Sequence, residues 1–471
     1  MNKQDIPFLS ATQLSRLIQS KEVSPVEATE AYLDRIEKVD GKLNSYITVC
    51  RDEALKSARE AEQAIAAGRY LGPLHGVPVA VKDQCYTKGI RTTAGSTILW
   101  DFVPDYDATV VTGLKNAGAI MLGKLNLSEF ALGDSFVHPA GTPKNPWDLT
   151  RNPGMSSSGS AAATGAFLCA SSLGEDTGGS IRIPAAWSGL VGLRPTWGLV
   201  SRYGVLPASW SMDTVGPITR TVEDCAITLQ AIAGYDPNDK YTWNQPVPDY
   251  QQALAGDITG IRVGLLTEKT YSDDVDREVR DAVVAASGVL GELGAPVKTV
   301  SLPIIVHGGT ASKCITDMEG AAVHYERLKT QIGDYDHNTR VRLLTAILTP
   351  AQSYYKAQKF REMLRQELLE LLKEVDVVVL PTSPAAAPKI PDGPGIKSQE
   401  DAHSRMAGIR SFTGPFNLAS VPAISVPCGF TSDNMPISLQ IVGRPFEDAT
   451  VMKVAHAYEQ ATTWHTRRPP I

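Results

Sequence analysis

Hydrophobic and polar residues recur along this chain with two different periods. Near the start, apolar residues between positions 26 and 39 repeat every three or four residues, the spacing of one face of a helix. A Ser-x-x-Gln pattern from Ser10 and a Ser-x-x-Glu pattern from Ser24 have the form of capping boxes, which mark helix starts. We therefore expect residues 1–65 to form a helical segment that packs on the rest of the chain.

After this segment, short apolar runs alternate with helical patterns. Strands are predicted at 76–83, 119–122, 261–266, 297–302, 377–380 and 438–442, and helices at 107–116, 161–166, 274–293 and 449–461. Asp107 is expected to cap the first of these helices. Strands alternating with helices predict an α/β fold with a mixed or largely parallel sheet over residues 66–471. The Pro-, Gly- and Ala-rich stretch 381–399 is either an ordered loop near a site or a linker.

The composition of the chain argues against nucleic-acid-binding and membrane proteins. The chain has 471 residues, 43% of them hydrophobic, and a formal net charge of −6, which argues against nucleic acid as a direct partner. Six dispersed cysteines without a CxxC pair predict reduced thiols in a cytoplasmic protein. The chain opens without an apolar signal core, and no apolar run is long enough to span a membrane, so we expect no membrane partner.

The densest chemical signal is a pair of segments rich in glycine and serine, 153–160 and 174–184. In the second, the successive N–H groups of Thr177, Gly178, Gly179 and Ser180 are suited to bind an anion, with a hydroxyl at the end. Acyl transfer needs this combination of a nucleophile and fixed donors for an oxyanion. Flexible loops are the plain alternative. A phosphate-binding loop is disfavoured because the GxxxxGK[ST] motif is absent.

A general base is harder to find, because none of the eight histidines stands in a triad-like context. Lys82 ends the apolar strand predicted at 76–83, so it either points into a partly buried site or is a solvated surface charge. Burial lowers the pKa of a lysine and supplies a neutral amine, which can act as a base. No metal-binding pattern is present, and we predict neither a metal nor a cofactor.

Together these segments resemble the amidase signature family of serine hydrolases. That family carries a lysine after an apolar strand, a Gly/Ser-rich stretch and the sequence Asp-Thr-Gly-Gly-Ser-Ile-Arg, here ending at Arg182. The resemblance implies Ser180 as nucleophile, Lys82 as base and Ser156, 24 positions before Ser180, as a bridging serine in a cis peptide. It also implies oxyanion donors at the N–H groups of residues 177–180, and one large domain whose mixed, mostly parallel sheet is covered by helices on both faces.

The chain departs from the family pattern beside the expected cis bond. Met155 and Ser158 stand where glycine is usual, and both are expected to reshape the acyl pocket while leaving the three catalytic residues intact. Within the family, the sequence resembles the glutamine-hydrolysing A subunit of tRNA-dependent amidotransferases, whose substrate-binding arginine maps to Arg361. The acidic residue that reads the glutamine ammonium maps to Arg410, which has the wrong charge. Arg410 then faces a carboxylate, a polar substrate or solvent.

These residues predict an amidase that cleaves carbon–nitrogen bonds through a Ser180 acyl-enzyme, with carbamates or esters as further substrates. Because of Arg410, we expect a stand-alone enzyme that acts on a small molecule, with a homodimer as an open alternative. The glutamine-hydrolysing amidotransferase subunit is the alternative function. A non-catalytic scaffold with the same fold is the alternative of another class, and the intact Lys82, Ser156 and Ser180 argue against it.

Overall fold

The polypeptide forms a single mixed sheet with helices packed around it, in a computed structural model that describes residues 2–133, 138–390, 393 and 408–471. Of the loop or linker expected at 381–399, residues 391–392 and 394–399 lie outside the described residues. No helix in the described part of the chain is both long and apolar enough to cross a membrane.

The sheet contains eleven strands within the described residues. In chain order they are β1 (Tyr46–Val49), β2 (Pro78–Lys82), β3 (Ile120–Leu125), β4 (Ser171–Glu175), β5 (Val191–Arg194), β6 (Val215–Thr219), β7 (Val263–Leu266), β8 (Val297–Val300), β9 (Val377–Pro381), β10 (Ala423–Phe430) and β11 (Pro436–Val442).

The α-helices precede, connect and follow these strands. They are α1 (Ala11–Gln19), α2 (Pro25–Leu43), α3 (Arg51–Ala66), α4 (Thr109–Asn116), α5 (Ser158–Gly165), α6 (Arg182–Ser188), α7 (Val222–Ile232), α8 (Tyr250–Ala253), α9 (Thr267–Thr270), α10 (Arg277–Glu292), α11 (Gly308–Gln331), α12 (His337–Leu348), α13 (Ala351–Glu374), α14 (Arg410–Ala419) and α15 (Asp448–Gln460).

The strand order is β1-β3-β2-β4-β6-β5-β10-β11-β9-β7-β8. Parallel pairing joins β3, β2 and β4 near one end of the sheet, and β9, β7 and β8 at the other. The remaining neighbours pair antiparallel. The predicted α/β fold with a mixed sheet is thus confirmed. The sheet is not mostly parallel, however: among the described strands, four pairings are parallel, in two separate groups of strands, and six are antiparallel.

The core lies on both faces of the sheet, as β9 demonstrates. Its sequence is an unbroken apolar run, and every residue in it is buried. Val377 and Val379 belong to one hydrophobic cluster, whereas Val378 and Leu380 belong to another. Since successive side chains of a strand point to opposite faces, both faces of the sheet are covered, as predicted for a strand in the interior of a sheet.

The N-terminal segment begins with the helices that the sequence predicts. Both capping boxes form, at Ser10 and Ser24. The segment also contributes the edge strand β1, which the helical pattern did not indicate. The predicted helix cap at Asp107 is wrong. Helix α4 begins at Thr109, and the Asp107 carboxylate instead accepts hydrogen bonds from Lys88 N–H and Lys115 Nζ.

A buried ion pair joins β3 to the end of β2. Lys124 Nζ lies 3.0 Å from Asp83 Oδ1, and both side chains are fully buried. The amine also donates hydrogen bonds to the Cys85 carbonyl and the Thr92 hydroxyl. Removing only the cation would leave a buried carboxylate without its counter-charge.

We expect Lys124→Met to lower the free energy of unfolding by roughly 3–5 kcal/mol, because one partner of a buried ion pair is lost. Thermal and urea unfolding of the purified protein measure the loss. Lys298→Met is the matched control, since Lys298 pairs with Glu374 on the surface, where such a pair contributes about 1 kcal/mol or less. Equal destabilisation by the two substitutions would contradict the assigned importance of the Lys124 pair.

Candidate active site

Two parallel strands deliver the first two side chains of the site. β2 and β4 are neighbours in register, with Val81 opposite Leu173, so their carboxyl ends meet at one edge of the sheet. Lys82 ends β2 and Glu175 ends β4. The Lys82 Nζ atom lies 3.3 Å from Glu175 Oε2, and both side chains are 0% exposed. Lys82 is therefore a buried amine with an acidic neighbour, and the surface-charge alternative is wrong.

Ser156 supplies a hydroxyl to this amine. Lys82 Nζ donates a hydrogen bond of 2.8 Å to Ser156 Oγ. The cis peptide implied for Ser156 is not found: the described residues contain no cis peptide bond, so the Met155–Ser156 bond is trans. A trans bond is favoured by about 3–4 kcal/mol for a residue other than proline. Here the trans backbone already brings the hydroxyl to the amine.

Ser180 lies in the short turn between β4 and α6, with 4% of its surface exposed. The turn depends on Gly179, whose φ of +127° disfavours residues with a side chain, and whose Cβ would come 2.3 Å from Thr413 Oγ1. The Gly179 N–H donates to Asp176 Oδ1 at 2.7 Å, so it is not available to an oxyanion. No acceptor among the described residues pairs with the N–H groups of Thr177, Gly178 and Ser180.

Asp176 fixes the shape of this turn from inside. Its carboxylate accepts hydrogen bonds from the Gly179 and Ile181 N–H groups and from Arg182 Nε and Nη2. Burial alone would raise the pKa of Asp176, but the charge and hydrogen bonds of Arg182, with help from Arg194 and Asn417, hold the pKa well below its usual range. Asp176 and Arg182 are thus structural supports of the loop.

The environment of Lys82 favours its neutral form. Burial lowers the pKa of Lys82, and the negative charge of Glu175 opposes this without cancelling it, so that the pKa stays below that of an ordinary lysine. A neutral amine has a free electron pair and accepts a proton, which an ammonium cannot do. The site therefore combines a serine hydroxyl with an amine that is suited to act as a base.

Glu175 and Asp213 are the buried acids that the sequence analysis missed. Thr177 Oγ1 lies 2.7 Å from a carboxylate oxygen of each. A hydroxyl donates only one proton, so one of the two carboxyl groups must be protonated. Burial and the charge of Glu175 raise the pKa of Asp213 well above its usual range, which favours Asp213 as the protonated partner. No local pattern in the sequence marks Glu175, because it ends β4, a strand whose small polar residues do not predict one.

The three residues expected in the substrate pocket make different contacts. Met155 packs on the hydrophobic cluster that contains Ile183 and Trp187. Arg361 donates to the Leu418 carbonyl and to Ser211 and Ser420, so its guanidinium joins segments of the protein to one another. Arg410 is 5% exposed, which excludes the solvent alternative, and its guanidinium lies against Gly178.

No group of three or more His, Cys, Asp or Glu side chains within the described ranges is arranged to hold a metal ion. The chemistry that the site offers is that of the serine hydroxyl, the amine and the backbone donors.

The family model described as Amidase matches residues 27–452. The chain belongs to the amidase family. It is therefore related to hydrolases of carbon–nitrogen bonds, and the resemblance seen in the sequence is confirmed. The A subunit of the glutamyl-tRNA(Gln) amidotransferase from Geobacter metallireducens is 43% identical over an alignment that covers 98% of this chain and 99% of the relative.

Solved structures agree with this membership. The A subunit of the same kind of amidotransferase from Thermotoga maritima has a TM-score of 0.80 at 35% identity, covering 97% of this chain and 95% of that one. A 6-aminohexanoate cyclic dimer hydrolase has a TM-score of 0.89 at 27% identity, covering 98% of this chain and 99% of that one. The amidase fold is thus shared over nearly the whole length.

These relatives correct the expectation about partners. The sequence predicts an enzyme that acts alone or as a homodimer on a small molecule, without nucleic acid, and this prediction is wrong. Relatives that match almost the entire chain are named as subunits of an amidotransferase that acts on a tRNA. The expectation rested on net charge and on one pocket residue, Arg410, and neither property reports which surfaces bind other subunits.

Proposed function

We propose that this chain is the amide-hydrolysing A-type subunit of a tRNA-dependent amidotransferase, with Ser180 as the nucleophile and glutamine as the amide donor. The observation that carries the catalytic part is the 2.8 Å hydrogen bond between the fully buried amine of Lys82 and the hydroxyl of Ser156. A scaffold without activity has no need to bury an amine with a lowered pKa beside a hydroxyl and unpaired backbone donors.

In the first half of the reaction, Ser180 Oγ attacks the carbonyl carbon of the amide. Its proton passes to Ser156 while the Ser156 proton passes to neutral Lys82. The oxygen of the tetrahedral intermediate becomes negative, and the N–H groups of Thr177, Gly178 and Ser180 stabilise it. Gly179 is not part of this donor set, because its N–H is bound to Asp176.

In the second half, the intermediate collapses to an ester on Ser180. The Lys82 ammonium returns its proton through Ser156 to the leaving nitrogen, so that a primary amide releases ammonia. Water then attacks the ester by the same route and frees the acid and the enzyme. Within an amidotransferase, the released ammonia is the product that the assembly uses.

Three relatives support the assignment to an amidotransferase, and all are named as the A subunit of glutamyl-tRNA(Gln) amidotransferase. They are 43%, 42% and 41% identical to this chain, and each alignment covers at least 98% of it.

A tagged chain expressed in its own organism should co-purify with partner subunits. The complex should convert glutamyl-tRNA(Gln) to glutaminyl-tRNA(Gln) when glutamine is supplied. A chain that purifies alone and releases no ammonia from glutamine, even with cell extract restored, would contradict the assignment.

The catalytic roles are tested by fluorophosphonate labelling and by ammonia release from glutamine. We expect Ser180→Ala to abolish labelling, because the reacting oxygen is gone. Lys82→Ala should slow amide hydrolysis by roughly 10²- to 10⁴-fold, the usual contribution of a general base. Ser432→Ala and Lys298→Ala, at exposed positions, are the matched controls and should behave as wild type. Full activity of Lys82→Ala at neutral pH would refute the assigned base.

Glu175 gives a prediction for the pH dependence. The amine must be neutral to act as a base, so activity falls as the pH drops below the pKa of Lys82. The charge of Glu175 raises that pKa. Glu175→Gln should therefore move the acidic limb of the kcat/KM profile to lower pH. Glu374→Gln, at a surface ion pair, should leave the limb in place, and an upward shift in Glu175→Gln would contradict the assigned coupling.

A further inference from the structure

Arg410 is a buried cation at the edge of the active site for which the reaction steps above have no use. It is the first residue of α14 and is 5% exposed. Its Nη1 donates to Thr316 Oγ1 at 3.0 Å, the single hydrogen bond of this guanidinium among the described residues. A guanidinium carries five donor hydrogens, so most of its capacity to bind an anion is unused.

The nearby carboxylate does not neutralise Arg410. Asp317 lies on α11, the helix that also supplies Thr316 and Lys313. It forms ion pairs with Lys313 and, at 2.6 Å, with Arg342. Two cations already share this one carboxylate, and the described residues include no carboxylate oxygen within 4 Å of the Arg410 guanidinium. The region around Arg410 therefore carries an excess of positive charge.

The other acids near the site are held by closer partners. Asp176 is bound by Arg182 and lies near Arg194, and the Glu175 carboxylate accepts hydrogen bonds from Lys82 Nζ and Thr177 Oγ1. Burying a charge without a counter-charge is costly, and the cost is recovered when an anion enters. The arrangement is thus that of a binding site for a negative group.

The geometry fixes where this group would lie relative to the reacting bond. The guanidinium packs directly on Gly178: a Cβ atom added there would lie 2.9 Å from both Cζ and Nε of Arg410. Gly178 provides one of the proposed oxyanion donors and lies two positions before Ser180. An anion on Arg410 is therefore next to the carbonyl group that Ser180 attacks.

We propose that Arg410 forms a subsite for a carboxylate on the acyl part of the amide, so that the enzyme selects amides of dicarboxylic acids. The proposal rests on the proposed amide hydrolysis and names its substrate class. Glutamine is one member, through its α-carboxylate, and glutaramate is the member without an ammonium group. A planar guanidinium binds a carboxylate with two parallel hydrogen bonds, which a lysine does not reproduce.

The test compares kcat/KM for glutaramate with that for valeramide, which has a methyl group in place of the carboxylate. Wild type should prefer glutaramate, and Arg410→Gln should reduce the ratio of the two values by about 10- to 100-fold, the range expected for hydrogen bonds to a charged group. Arg410→Lys should give an intermediate ratio. Glutamine, the proposed amide donor, carries the same carboxylate, so Arg410→Gln should lower its kcat/KM by a similar factor. An unchanged ratio in Arg410→Gln would overturn the subsite.

A binding measurement keeps this test separate from the proposed catalysis. Glutarate should raise the thermal midpoint of Ser180→Ala, and the rise should be lost in the Ser180→Ala/Arg410→Gln double variant. Arg277→Gln, at an exposed arginine, is the matched control in both assays. If no amide is hydrolysed but the Arg410-dependent rise is present, the proposed function fails and the subsite stands. If the two midpoints respond equally to glutarate, the subsite fails.

Discussion

The active site depends on one unfavourable placement, the burial of the Lys82 amine. An ammonium in this position would lose its hydration, which is why burial lowers the pKa. The fold supports the amine with three acceptors: Ser156 Oγ at 2.8 Å, and the backbone carbonyl and carboxylate oxygens of Glu175, both at 3.3 Å. The closer contact is with the neutral hydroxyl and not with the carboxylate. This order matters, because a tight ion pair with Glu175 would hold the amine in its protonated form.

The turn that carries Ser180 is held by a second set of buried charges, and in this set the charged form is the stable one. Asp176 stays ionised, since Arg182 and several N–H groups compensate its charge. Arg182 also donates to Asn417 on α14 and to Gln440 on β11. One guanidinium thereby connects the turn to two elements that are more than 200 residues away in sequence. Each charge in this arrangement has a partner, so it fixes geometry without changing protonation.

The sequence predicts some elements of the fold and not others, depending on whether their signal is local. β9 is an apolar run, and Ser24 opens a capping box, and both were found because the information is local. β4 has the sequence Ser-Ser-Leu-Gly-Glu and was missed, because its small polar residues are stabilised by neighbouring strands that no local pattern reports. Glu175 was overlooked for the same reason. The family motif indicated the positions of Ser180, Ser156 and Lys82, but not the trans geometry at Ser156 or the bound N–H of Gly179.

The chemistry and the choice of substrate come from different parts of the fold. Lys82 ends β2, Ser156 lies just before α5, and Ser180 lies in the turn after β4. These three elements pair or pack closely with one another. Arg410 and its charged neighbours come instead from α11, α12 and α14. A substitution near Arg410 on α11 or α12 changes which anion or cation fits, whereas α14 also supports the turn, through Thr413 and Asn417. Membership in the amidase family therefore constrains the reaction more tightly than the substrate, and the charge beside Gly178 is the physical property on which the substrate depends.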